Sequence, residues 1–151
     1  MMTLGFACPG CKRAAVAAGP SSSPIEVAPS HIEGHVPPAA EFSELLHSDL
    51  ATYLAKTYGA PRTIQVMLLR EGPTQSGVSL PKYYVWVRFQ RPDATFIEGA
   101  ARVAAVDKTH FEVTDFLTAE QVVNAPTILS TVFPEPLREE ILRRAKTAFV
   151  P

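Results

Sequence analysis

Cys8-Pro9-Gly10-Cys11 is the sharpest chemical pattern in the chain. Two thiols at this spacing suit a redox pair or half of a zinc site. A thioredoxin-like site needs a strand before it and a helix after it, and the α-β-β-β-β order of the remainder does not continue a βαβ fold. A zinc site needs further ligands, and the only histidines are His31, His35, His47 and His110. His31 and His35 follow across a Pro-rich gap, and their spacing adds little weight. The expectation is no metal and no cofactor, with a disulfide or redox pair and a metal site as the competing readings of the two cysteines.

A second group has the residue types of acid–base work. His110 and Glu112 alternate along one segment, and Glu98 and Arg102 fall on the same side of neighbouring segments. Asp115 has the opposite parity. General acid–base catalysis uses such groups, yet no nucleophile is singled out and no roles can be assigned with geometry. No catalytic residue is therefore named. The alternative function is an enzyme or small-molecule binder with His110 and Glu112 as proton-transfer groups in a pocket.

The third group is a surface. Alternation places Tyr84, Trp86, Arg88, Phe96, Glu98, Arg102, His110 and Glu112 together, with Met67, Leu69, Thr114 and Phe116 beside them. A solvated sheet face is mostly small polar or charged. This one has an aromatic centre and charges of both signs, the composition of an interface. The leading expectation is a non-catalytic binding or assembly module that uses this face to contact a second copy or a protein partner. Two other readings compete: cover by the leader or by helices after Phe116, and a small-molecule pocket. Aromatic residues beside Arg88 and Arg102 also suit single-stranded nucleic acid. A net charge of -1 opposes that, because phosphate neutralisation dominates such affinity, and no nucleic-acid partner is expected.

These residues need elements to position them. The chain has 151 residues and 46% hydrophobic content, the size and composition of one globular domain. Residues 1–38 read as a Pro/Ser-rich leader or arm. Proline fixes φ and removes donors, so no helix or central strand is expected between Gly19 and Pro38. Residues 39–151 read as a single domain. Phe42, Leu45, Leu46, Leu50, Tyr53, Leu54 and Tyr58 recur at helical spacing from Glu41 to Tyr58, and Gly59 with Pro61 ends that helix.

Four strands follow by period-two alternation: 63–70, 82–90, 95–106 and 109–116. Their links are short, which favours hairpins. A two-residue Asp107-Lys108 loop would pair residues of opposite faces, so a three-residue loop or a bulge is expected there. One permitted register sets Arg102 opposite Glu112 as an ion pair. Thr118 and Gln121 match a capping box, and Pro136 suits the start of a last helix to Ala148, striped by Leu137, Ile141 and Ala145. Glu139–Arg143 and Glu140–Arg144 are helical pairs, so the basic cluster reads as structural.

The expected fold is α+β: a long N-terminal helix on a curved four-stranded antiparallel sheet, a cystatin-like roll by element order, followed by C-terminal helices. No apolar run approaches the ~20 residues of a membrane span. Gly5-Phe6-Ala7-Cys8 only faintly echoes an export signal, with no basic residue before it. The expected compartment is the cytoplasm, with an exported form if the true start lies upstream.

Overall fold

The computed structural model describes residues 31–149. Cys8, Cys11 and most of the leader lie outside the described residues. In chain order the elements are α1 (His31–His35), α2 (Ala39–Tyr58), β1 (Thr63–Leu68), β2 (Lys82–Gln90), β3 (Phe96–Asp107) and β4 (His110–Thr118). Then come α3 (Ala119–Asn124), a 3-10 turn at Pro126–Ile128, α4 (Leu129–Val132) and α5 (Glu135–Ala148). The fold is α+β, with one antiparallel sheet in the order β1-β2-β3-β4. The short α1 occupies the proline-free window between Pro29 and Pro37, where no helix was expected. His35 Nδ1 lies 2.6 Å from the Val106 carbonyl and ties α1 to β3.

One face of the sheet packs on α2. Leu46, Leu50 and Leu54 meet Tyr83, Val85, Val87, Phe89, Ala101 and Val103 in one core. Phe42 sits edge-on to Tyr83 and Phe111, with centroids 4.9 and 5.2 Å apart. Gly59 ends α2 at φ 84, a left-handed conformation that L side chains resist.

The opposite face is also buried. Tyr84, Trp86, Ala100 and Leu117 join Phe133, Leu137, Ile141 and Ala145 in a second core, with α3, α4 and α5 as the covering layer. The sheet is therefore sandwiched between helices. Of the competing readings of the aromatic face, this is cover by the helices after Phe116. The apolar stripe of the last helix needed a partner, and this face is where it finds one.

Two bulges set the register between β3 and β4. Ala105 pairs with Phe111 but Asp107 with His110, leaving Val106 as the extra residue, the bulge expected at that hairpin. Val103 pairs with Val113 but Arg102 with Asp115, leaving Thr114 extra on β4. The second bulge overturns two expectations by reversing parity. Phe116 packs in the α2 core rather than on the other face, and Arg102 pairs with Asp115 instead of Glu112. Glu112 stands opposite Ala104.

The capping box at Thr118 forms as expected. Thr118 Oγ1 accepts from the Gln121 N–H at 3.2 Å, and the Thr118 N–H donates to Gln121 Oε1 at 2.9 Å. It turns the chain from β4 into α3 and so onto the second face.

Candidate functional site

α5 covers the second face incompletely. Its stripe Leu137, Ile141, Ala145 shrinks toward the C-terminal end, and there the sheet is left open. Four of the eight expected contact residues line this open end: Trp86, Arg88, Phe96 and Glu98.

Cross-strand pairing assembles them. Arg88 stands opposite Glu98, and Trp86 opposite Ala100 on one side and Met67 on the other. The Trp86 indole N–H donates to Glu98 Oε2 at 3.0 Å. Arg88 Nε lies 3.3 Å from Glu98 Oε1. The Arg88 guanidinium also lies over the Phe96 ring, 4.6 Å from its centroid. One carboxylate thus holds an indole and a guanidinium, and the guanidinium in turn holds a phenyl ring.

The rim is apolar and open. Phe96 is 53% exposed and Met67 43%, and Phe149 adds a second partly exposed ring. Arg144 borders the same space; a cleft of about 280 Å³ is bounded by Gln65, Met67, Trp86, Arg88, Glu98 and Arg144. A second hollow of about 380 Å³ continues past Phe96 to Glu120 and Phe149. Arg143 and Arg144 both hold Glu140, at 2.7 and 2.6 Å. The Arg143 hydrogen bond above all, then that from Arg144, hold the Glu140 carboxyl below its ordinary value.

The other four expected residues do not join the groove. Tyr84 is buried in the second core, its hydroxyl 2.9 Å from Thr74 Oγ1. Arg102 is committed to the bulge: Nε donates to Asp115 at 2.8 Å and to Thr114 at 3.1 Å, and Nη1 to the Val132 carbonyl at 3.3 Å. It fastens β4 to α4. His110 lies at the hairpin end beside α2, with Nδ1 3.3 Å from Asp49 Oδ2. The same Asp49 oxygen accepts the Phe111 N–H at 2.7 Å. His110 and Glu112 border an open hollow between α2 and β4, together with Asp49, Thr52, Tyr53 and Lys56. The His110 and Phe111 contacts with Asp49 join α2 to the sheet.

Met67, Arg144 and Phe149 belong to the groove but were not singled out as a group. Met67 had the right alternation. Arg144 and Phe149 had no signal, because their place depends on where α5 docks. Among the described residues no cluster of His, Cys, Asp and Glu is arranged to hold a metal, and no helix is long and apolar enough to cross a membrane. Comparison of the chain with family models, with curated proteins and with solved structures finds no match.

Proposed function

We propose that this chain is a small non-catalytic binding or assembly module, and that its contact surface is the open end of the second sheet face. A second copy of the chain is the partner that this reading favours. The observation that carries it is the pairing of exposed Phe96 and Met67 with a polar row, Trp86–Glu98–Arg88, already internally bonded. An aromatic and apolar rim around satisfied polar groups loses little on desolvation, which is what an interface centre requires. The helix gripped by the meander is read as a roll of the cystatin-like type, with a second helical layer added.

The test is light scattering of the full chain over a concentration series, beside the double variant Phe96→Asp, Met67→Asp. Both side chains are already exposed, so the variant is expected to keep the melting temperature and lose self-association. A full chain that stays monomeric at the highest concentration refutes the self-assembly reading.

A further inference from the structure

β1 is an edge strand, and it runs between two clefts. Leu69 donates its N–H to the Tyr84 carbonyl, so the odd-numbered residues of β1 bond inward. Ile64, Val66 and Leu68 then turn their N–H and C=O groups outward. From Thr63 to Leu69 there is no Lys, Glu or Pro, the residues that usually protect an edge.

On the α2 side the edge borders a cleft of about 610 Å³, floored by the small side chains Ala51 and Ala55 with Ile64, and flanked by Arg62. On the other side it borders the Trp86 cleft with Arg88 and Arg144. A strand added to β1 would place alternate side chains in the two clefts. The cations beside the edge are Arg62, and Arg144 whose Nε is bonded to Glu140, while Arg88 and Glu98 pair with each other. Two copies of β1 set edge to edge would bring these guanidinium groups toward one another. The edge therefore suits an extended segment that is apolar on one side and acidic on the other.

The chain itself carries such a segment: Pro24-Ile25-Glu26-Val27-Ala28-Pro29. We propose that Ile25–Ala28 of a second copy adds to β1 as a fifth strand, with Ile25 and Val27 toward Ala51 and Ala55 and with Glu26 toward Arg144. Proline at each end confines the pairing to these four residues. Tether length favours a second copy. α1 is held at Val106, five residues along β3 from Ala101, which stands in register with Leu68 through Val85. That is about 17 Å along and about 14 Å across, roughly 22 Å in all. At full extension about 16 Å of helix and chain can separate His35 from Ala28, short of that distance.

This inference deepens the assembly reading above and rests on it. The test is sedimentation equilibrium of the full chain with Glu26→Lys, Arg144→Glu and both together. Each dimer would hold two exchanged arms, so either single variant is expected to weaken dimerisation about tenfold, and the double variant to restore it. Glu26→Lys leaves every described residue unchanged, so its variant is informative even if Arg144→Glu lowers the melting temperature. A monomer at all concentrations, as an arm on its own domain would give, overturns the exchange. A dimer indifferent to Glu26→Lys but lost with Phe96→Asp, Met67→Asp overturns the arm alone and leaves the groove reading intact. A double variant no better than the singles overturns the Glu26–Arg144 pairing.

Discussion

Trp86 separates a residue that builds the groove from one that merely lines it. Its side chain is 5% exposed, packed in the second core with Ala100, Ile141 and Ala145. Trp86→Ala removes the indole from a site walled by the sheet and α5, neither of which can collapse far. Such truncations cost about 3–5 kcal/mol, a large share of the roughly 5–15 kcal/mol a domain possesses. With a urea slope of about 2 kcal/mol/M, the midpoint falls by about 2 M. Trp86→Phe keeps the ring packing and removes the N–H to Glu98, for about 1–2 kcal/mol. Phe96→Ala, at the exposed rim, stays within about 0.5 kcal/mol. Far-UV circular dichroism in urea measures all three, since the only tryptophan is lost in two of them. Equal midpoints for Trp86→Ala and Phe96→Ala would refute a covered second face.

Two further outcomes follow from local geometry. A Cβ at Gly99 would overlap the Leu117 carbonyl oxygen and come within 2.9 Å of the Phe116 ring; Gly99→Ala is expected to cost about 1–3 kcal/mol, read as a lowered melting temperature. Thr109 hydrogen bonds hold the Asp107 carboxyl below its ordinary value, and those of Thr95 do the same for Asp93. Glu140 is depressed by Arg143 and Arg144. Each folded value lies below the unfolded one, so this stabilisation is complete above the ordinary carboxylate range of about 4 and is lost as pH falls through the folded values. The melting temperature should hold from neutral pH to about 5 and decline below about 4; a decline beginning near neutrality would refute that linkage.

Much of the fold was legible because strand alternation is a local property. Val85 and Val103 fall on the α2 side, and Trp86 falls on the other, from parity alone. Parity failed beyond Thr114, where one inserted residue sends Phe116 to the α2 core and Asp115 to Arg102. No single-residue preference marks that bulge in the chain. The extra residue at Val106 was legible, because a two-residue loop would have contradicted the faces on either side of it. The cover over Trp86 was legible only as one of several readings. The stripe Leu137, Ile141, Ala145 shows that α5 must bury one face, but a stripe carries no address. Half of the site could be read in advance for the same reason: Trp86, Arg88, Phe96 and Glu98 meet through strand pairing, whereas Arg144 and Phe149 arrive with α5.

The layering also decides where any contact can form. With α2 on one face and α3 to α5 on the other, the centre of the sheet is covered, and Tyr84 and Trp86 pack in the second core. What stays open is set by the taper of α5, whose buried positions pass from Leu137 and Ile141 to Ala145. A larger residue at 145 would push the helix outward, while alanine lets it lie close and ends the cover beside Glu98. The groove is therefore a consequence of how the second core is packed. It opens beside β1, the edge strand of the sheet among the described residues, so the exposed rim and that edge form one continuous region at one margin of the sheet. Any partner of this domain that uses the rim would also meet the edge.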